Sequence, residues 1–240
     1  MRTLLSITMI FWASLSFAQI EISEETQEVE DVILPLDTRY TEAYFHANWS
    51  STSRKLIEND APFGDTLGNR IFEGKLNRWS YGVGFRSRLN DYLSWEGGIS
   101  LLRNGESYLY EAADTMYSYN TTYIYIGMPI KVMFTYGQQI RVYAGGGILP
   151  QMFVQYRQDQ EWLTTLDYRE KNTITANNGY NSFVFSLVFN AGVQMDITKN
   201  MAMYVMPEFR YQLTSSYEKQ DDFKHYGRAL GLNLGLTYKL

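Results

Sequence analysis

Apolar and polar side chains alternate with a period of two in eight separate stretches of this chain, and such alternation predicts β-strands. It is clearest near the end, where Leu230, Leu232 and Leu234 are separated by small or polar residues. Pro129 and Pro207 fall inside two of the stretches and remove backbone donors, so we expect bulges there. The stretches run approximately over residues 41–50, 78–89, 92–103, 122–135, 140–152, 182–197, 201–212 and 228–240.

The connections between the stretches are alternately short and long. Short turns at one end and long loops at the other are typical of outer-membrane β-barrels. The sequence therefore predicts an all-β, eight-stranded antiparallel up-and-down transmembrane β-barrel with short periplasmic turns and long extracellular loops. The tight turns are at 90–91, 137–139 and 198–200, and the long connections are at 51–77, 104–121, 155–181 and 213–227.

Eight up-and-down strands also occur in secreted lipocalins, in which the apolar faces point inward. An eight-stranded barrel encloses space for one filling of side chains or for a small ligand. About five large apolar residues per strand, many of them aromatic, would overfill that space. The opposite faces offer mainly Gly, Ser, Thr and Asn, which fit a narrow interior, so we expect the apolar faces to contact lipid.

A small set of charged residues falls within the predicted strands. A Lys or Arg that faced the middle of a bilayer would cost roughly 2 to 4 kcal/mol, so we expect these side chains to face the lumen. Unpaired buried charges are costly, which favours an ion-pair network in which Glu96 and Glu208 are each shared between arginines. An ion-gating role is the alternative. The predicted network contains Arg86, Arg88, Glu96, Lys131, Arg141, Glu208 and Arg210.

The N-terminus has the features of a secretory signal peptide. Arg2 precedes an uncharged apolar run that ends in the small-x-small pattern Ser16-Phe17-Ala18. This run is shorter than the roughly 20 residues that a transmembrane helix needs. Residues 19–38 are acidic and contain no Lys or Arg. We expect a signal peptide over 1–18, an acidic flexible periplasmic leader over 19–39 and an outer-membrane β-barrel over 40–240.

Composition and histidine content exclude several classes of function. The chain has no Cys, which excludes disulfide scaffolds and Cys-ligated metal sites, and its net charge of −5 argues against nucleic-acid binding. A serine hydrolase needs an imidazole base, and the only histidines are His46 and His225. We expect His46 in the lumen and His225 in the last long loop, with no catalytic residue, metal site or cofactor. A cation held by Asp221, Asp222 and His225 is the alternative.

Three stretches carry a resemblance to a known family: YIYIGMPIKVMFTYG at 123–137, VYAGGGILPQMF at 142–153 and NLGLTYKL at 233–240. With the signal peptide and the loop pattern, they resemble the outer-membrane β-barrel domain family common in Bacteroidota, often labelled porin-family proteins, over roughly residues 40–240. The resemblance implies an outer-membrane location and a barrel fold without a defined activity. It also implies a signal for the barrel-assembly machinery at Asn233, Gly235, Tyr238 and Leu240.

These features lead to three hypotheses of function. The first is a small, non-enzymatic integral protein of the outer membrane with a structural or interaction role, whose partners are outer-membrane lipid and an envelope protein. The second is an accessory subunit of an outer-membrane secretion or uptake machine, which follows from the resemblance of some family members to PorT-like secretion factors. The third is a narrow channel for ions or small solutes.

Overall fold

The computed structural model describes residues 40–58, 70–112, 115–164, 169–218 and 223–240. The predicted signal peptide at 1–18 and acidic leader at 19–39 lie outside these residues and stay predictions. Asp221 and Asp222 of the alternative cation site also lie outside them. Within the described ranges, no helix is both long and apolar enough to cross a membrane.

Ten β-strands and one short 3-10 helix at Arg70–Phe72 form the described part of the chain. Several strands continue into segments that the sequence assigned to long loops, because paired backbone does not require an apolar face where both faces meet water. The strands are β1 (Thr41–Glu58), β2 (Glu73–Arg88), β3 (Leu93–Ala112), β4 (Thr115–Gly127), β5 (Ile130–Tyr136), β6 (Ile140–Thr164), β7 (Arg169–Ala176), β8 (Phe183–Asp196), β9 (Met201–Gln212) and β10 (Phe223–Lys239).

The strands form one antiparallel sheet that closes on itself. β1 pairs with β2 on one side and with β10 on the other, and its register with β10 begins with Glu42 opposite Lys239. Around the ring, β2 pairs with β3, β6 with β8, β8 with β9, and β9 with β10. Closure satisfies backbone groups that an open edge would expose to lipid. The predicted antiparallel barrel is confirmed.

β4 and β5 together occupy one place in the ring, between β3 and β6. Gly127 of β4 lies opposite Ser100, and Ile130 of β5 lies opposite Gly97, so the register with β3 is unbroken across Pro129. β7 pairs with β6 and lies off the path of the ring. Nine of the ten described strands therefore fill the eight places of the ring and β7 lies outside it, which reconciles the eight alternating stretches with the observed strands.

The prediction of bulges at Pro129 and Pro207 is wrong. Pro129 lies in the short interruption between β4 and β5, where the register is kept. Pro207 lies inside β9 opposite Leu232, and the register with β10 continues through it. A register shift lies instead between Ile124 and Tyr125, where β4 meets β6. The missing proline donors are thus accommodated without an inserted residue.

The outer face of the ring is an apolar belt. Large apolar side chains point away from the lumen and are about half exposed, for example Phe45 at 50%, Val83 at 53% and Val132 at 53%. An apolar surface that surrounds a whole barrel is far larger than the patches of soluble monomers, whereas it matches the hydrocarbon of a bilayer. At the long-loop side, the belt ends where the outward positions become polar, at Ser51 on β1 and Arg103 on β3.

The lumen contains polar side chains and tyrosines that lie over glycines. Tyr44 crosses the inner surfaces of Gly84 and Gly98, where an added Cβ would lie 2.5 and 2.6 Å from the Tyr44 hydroxyl oxygen. Tyr204 lies over Gly235 in the same way. Glycine leaves room for these rings in an interior that holds only one filling of side chains.

Candidate functional site in the barrel lumen

Three neighbouring strands bring the central ion pairs of the lumen together. Arg86 on β2, Glu96 on β3 and Lys131 on β5 are direct cross-strand neighbours, and each is at most 4% exposed. Arg86 Nη2 lies 2.8 Å from Glu96 Oε2, and Lys131 Nζ forms an ion pair with Glu96 Oε1. Two cations therefore neutralise the two oxygens of one buried carboxylate.

Glu42 on β1 adds a second carboxylate. Its Oε1 lies 3.2 Å from Arg141 Nη1, and its Oε2 lies 3.7 Å from Arg86 Nη1. Gln194 Nε2 donates to both Glu42 oxygens, at 3.3 and 3.2 Å. Arg141 also forms an ion pair with Asp196, at the end of β8. The set that we call the lumen charge network consists of Glu42, Arg86, Glu96, Lys131 and Arg141.

Aromatic rings pack around this network and fill the remaining space. The guanidinium carbon of Arg86 lies 4.6 Å from the ring centre of Tyr143 and 5.5 Å from that of Tyr204, which are cation–π distances. A cavity beside Glu42 and Arg86 has a volume of about 10 Å³, which is space for about one water molecule. At this level the interior is a packed polar core.

A separate carboxylate group surrounds Glu208 on β9. Arg210 Nε lies 3.3 Å from Glu208 Oε1. Asn190 and Asn233 donate to Glu208 Oε2 at 3.1 and 3.0 Å. Arg210 Nη2 also donates to Ser50 Oγ on β1, at 3.2 Å. Amide groups thus supply much of the hydrogen bonding that this buried charge requires.

The sharing of the two predicted carboxylates differs from the expectation. Glu96 is shared between Arg86 and Lys131 rather than between two arginines. Glu208 forms an ion pair with one arginine, Arg210, among the residues that the structure covers. The register of β3 with β5 explains the sharing of Glu96, because the residue directly opposite it on β5 is Lys131.

The seven predicted residues divide in the structure: Glu208 and Arg210 form a separate group, Arg88 lies outside both groups, and one member of the lumen charge network was missed. Arg88 ends β2 and donates to the backbone oxygens of Asn90 and Asp91 in the following turn, at 3.3 and 2.7 Å. Its position at the mouth of the barrel separates it from the buried pairs. Glu42 was missed because the first stretch alternates irregularly. Counting back in twos from the inward His46 would have identified it.

A second ion-pair group, which we call the upper cluster, lies beyond the belt at the long-loop end. Arg54 Nη2 on β1 lies 2.8 Å from Glu73 Oε1, and Arg54 Nη1 lies 3.2 Å from Glu106 Oε1. Tyr123 donates its hydroxyl to Glu106 at 3.3 Å, and Glu106 is 1% exposed. The upper cluster consists of Arg54, Glu73, Glu106 and Tyr123.

The upper cluster contains more negative than positive groups, because the Arg54 guanidinium forms ion pairs with two carboxylates, those of Glu73 and Glu106. Burial raises the pKa of Glu106 to about 7, although Arg54 opposes the rise. Burial lowers the pKa of Arg54, but Glu106 and Glu73 outweigh it and hold that pKa above its ordinary value. Sequence reasoning missed this group because its charged residues lie in segments assigned to long loops.

Both histidines are buried among aromatic rings. His46 is 7% exposed in the lumen and stacks on Tyr44 with ring centres 5.7 Å apart. His225 was expected in a loop, but it lies on β10, is 1% exposed, and has its ring centre 4.6 Å from Tyr123 and 5.1 Å from Tyr217. β10 begins at Phe223 and turns this residue inward. Across the described ranges, no group of three metal-ligating side chains is close enough to hold an ion.

The residues of the proposed assembly signal lie on both faces of the last strand. Asn233 is 3% exposed and accepts a hydrogen bond from Asn48 at 2.8 Å, while Gly235 lies beneath the Tyr204 ring. Tyr238 and Leu240 are exposed on the outer side at 49% and 71%. Their role in assembly stays a prediction.

A closed antiparallel barrel with an apolar outer belt and an ion-paired lumen defines an integral β-barrel protein of a membrane. The family described as outer membrane protein beta-barrel domain matches residues 40–239, and the chain belongs to this family. The family places the protein in the outer membrane. No curated protein matches the chain.

Several solved outer-membrane proteins have a distantly similar fold. Neisserial surface protein A is 14% identical, with 83% of this chain and 97% of that chain covered and a TM-score of 0.41. OprG from Pseudomonas aeruginosa is 9% identical, with 85% and 97% covered and a TM-score of 0.41. AlkL, solved in lipid bilayers, is 10% identical, with 92% and 97% covered and a TM-score of 0.45.

Proposed function

We propose that this chain is a non-enzymatic integral barrel with a structural or interaction role in the cell envelope. The observation that supports this most strongly is the lumen charge network, which joins β1, β2, β3, β5 and β6 by buried ion pairs. Such a network holds opposite walls of the barrel in one arrangement, and its packing leaves little room for water. The barrel then holds the strands that extend beyond the membrane in fixed positions.

The channel hypothesis is tested directly by conductance. The full chain is inserted into planar lipid bilayers, and native protein is compared with Glu96→Gln and with Arg88→Gln, a control outside the network. We expect no stepwise conductance from the native chain or from Arg88→Gln. Stepwise conductance of the native chain that changes in Glu96→Gln would contradict the proposal and support a narrow channel.

The absence of enzymatic activity is part of the proposal. A hydrolase would need one of the two imidazoles in reach of a substrate, and both His46 and His225 are buried against tyrosine rings. The test is release of fatty acid from phospholipid vesicles by the full chain. Activity that is lost in His46→Ala or His225→Ala would overturn this part.

An interaction role is supported by an aromatic ladder at the long-loop end. Tyr108 stacks on Tyr119 with ring centres 4.9 Å apart, and Tyr117 stacks on Trp162 at 4.8 Å. Such rings are enriched where proteins contact one another. We propose an envelope protein as the partner and a chain of the Bacteroidota type, and a PorT-like accessory role is the alternative.

The experiment is co-purification after mild detergent extraction. Native chain, a Tyr117→Ser/Trp162→Ser variant and a chain without residues 19–39 are compared. Loss of one stoichiometric envelope protein in the aromatic variant supports contact through the ladder. Loss only without the leader supports the accessory-subunit hypothesis instead.

A further inference from the structure

A group of arginines lies on the outer wall of the barrel, just beyond the apolar belt. Arg103 on β3 is two residues beyond Leu101, which is 38% exposed on the belt. Arg157 on β6 is 54% exposed. Arg78 lies in the part of β2 where pairing with β3 lapses, between residues 75 and 81. The group therefore spans the wall from β2 to β6, with β4 between β3 and β6.

Thr122 on β4 fixes Arg78 on this wall. Arg78 Nε and Nη2 donate to Thr122 Oγ1 at 3.1 and 3.0 Å. Thr122 is the direct cross-strand partner of Gly105 on β3 and of Arg157 on β6. The Arg78 guanidinium therefore reaches the strand beside Arg157.

Positive charge on this wall is in excess. Asp159 accepts hydrogen bonds from Arg157 Nε and Nη2 at 3.1 and 3.0 Å, and from Thr173. Within the described part of the chain, neither Arg78 nor Arg103 has a carboxylate within ion-pair distance. Three guanidinium groups and one carboxylate, 3 − 1, leave a charge of +2.

The neighbouring charges on this wall change the pKa of Arg78. Burial lowers the pKa of Arg78, Asp159 opposes that change, and the charges of Arg103 and Arg157 lower it further. An anion placed among the three guanidinium groups would relieve this repulsion.

The height of the group matches the headgroup level of a bilayer. Arg103 is ten residues beyond Leu93, the first residue of β3. At about 3.3 Å per residue and a typical tilt of about 40°, ten residues rise about 25 Å along the membrane normal. The apolar band of outer-membrane barrels is also about 25 Å tall, so Arg103 lies at its boundary.

We propose that Arg78, Arg103 and Arg157 bind the phosphate group of a phosphorylated lipid in the outer leaflet. Guanidinium groups bind phosphate oxygens in pairs through parallel N–H donors. The site is continuous with the belt, so the acyl chains of the same lipid lie against the outward Leu101 and Ile126. Continuity with the belt favours a lipid headgroup over a free anion.

The test is lipid retention by the full chain in zwitterionic detergent, measured by native mass spectrometry. The probes are phosphatidic acid and phosphatidylcholine with the same acyl chains. The variant is Arg78→Gln/Arg103→Gln, and the matched control is Arg228→Gln. Arg228 lies on β10, two residues from Leu230 towards the long-loop end, and its guanidinium group lies over the Tyr211 ring. Heat-dependent gel mobility checks that each variant is folded.

We expect the native chain to retain phosphatidic acid in preference to phosphatidylcholine. Each arginine removed should weaken retention about five-fold, or about 25-fold for the double variant, with no change in Arg228→Gln. An Arg78→Lys/Arg103→Lys variant should recover part of the preference.

Three outcomes would overturn the proposal. The first is equal retention of the two lipids by the native chain, which would indicate contact through the belt alone. The second is an equal loss in Arg228→Gln and in the double variant. The third is binding of inorganic phosphate as tightly as phosphatidic acid, which would assign the arginines to a free anion.

Discussion

Arg86 and Glu96 lie directly opposite each other on β2 and β3, and Arg86 Nη2 is 2.8 Å from Glu96 Oε2. Both side chains are at most 3% exposed, so water does not screen their interaction. Removing one partner of such a pair leaves the other charge buried and uncompensated. The stability of the barrel should therefore depend on Glu96 far more than on charges at its rim.

Glu96→Gln keeps the shape of the side chain and removes its charge. We expect the free energy of unfolding to fall by about 3 to 5 kcal/mol, because Arg86 and Lys131 lose their shared carboxylate. Urea unfolding in lipid vesicles, followed by tryptophan fluorescence, measures this. Arg88→Gln at the turn is the control and should change stability by less than about 1 kcal/mol. Equal effects of the two changes would contradict a structural role for the network.

Gly84→Ala tests the packing of tyrosine over glycine. The added methyl carbon would lie 2.5 Å from the Tyr44 hydroxyl oxygen and would also meet the Gly97 carbonyl. We expect a loss of about 1 to 3 kcal/mol in the same unfolding assay, because neither the ring nor the backbone has space to move.

Gly74→Ala is the matched control for this change. At Gly74 the nearest atom to an added Cβ is the Ser107 hydroxyl oxygen at 2.7 Å, and that side chain can rotate away. We expect a change below about 1 kcal/mol. A larger loss at Gly74 than at Gly84 would show that interior space is not the limiting factor.

Glu106 gives the upper cluster a pH dependence. Its pKa rises from an ordinary value of 4.5 to about 7 in the folded chain, so the folded state binds more protons between those values. Relative to Glu106→Gln, the native chain should lose stability as pH rises from about 4.5 to about 7, by at most about 3 kcal/mol, and change little above that range.

Unfolding midpoints of both chains across this pH range measure the difference. A native chain that gains stability over Glu106→Gln with rising pH would mean that the ion pair with Arg54 outweighs burial. The pKa of Glu106 would then be lower in the folded chain than in the unfolded chain, which is the opposite of the expected shift.

Tyr238→Ala tests the proposed assembly signal. The expected outcome is a smaller folded fraction in the outer membrane of the host, read from heat-dependent gel mobility, because the barrel-assembly machinery would lose an aromatic contact. Tyr136→Ala is the control, since Tyr136 is also an outward tyrosine at a short turn and is 65% exposed. An equal decrease for both would indicate a general effect of aromatic loss at the membrane boundary.

Sequence reasoning identified most of the barrel wall and part of the lumen. The apolar faces, which include the outward Leu230 and Leu234, were assigned correctly to the lipid side, because successive side chains of an extended strand point to opposite faces. It missed Glu42 at an irregular strand start, and it included Arg88 in the ion-pair network although Arg88 donates to the turn that follows β2. Strand ends are hard to assign because their outward residues face water rather than lipid, so these positions need not be apolar.

The upper cluster and the arginine group on the outer wall were beyond sequence reasoning for another reason. Arg54, Glu106 and Arg157 lie where strands have left the hydrocarbon, so polar residues occupy both faces and alternation disappears. Only backbone pairing shows that β1, β3 and β6 continue there.

The sequence by itself determined that the chain forms strands with one face for lipid and one for a narrow polar interior, because the direction of a side chain along a strand is a local property. The tertiary structure decided which charges meet. Arg86, Glu96 and Lys131 become neighbours through the registers of β2 with β3 and of β3 with β5. Register depends on how all the strands fit together when the ring closes, and no single strand carries that information.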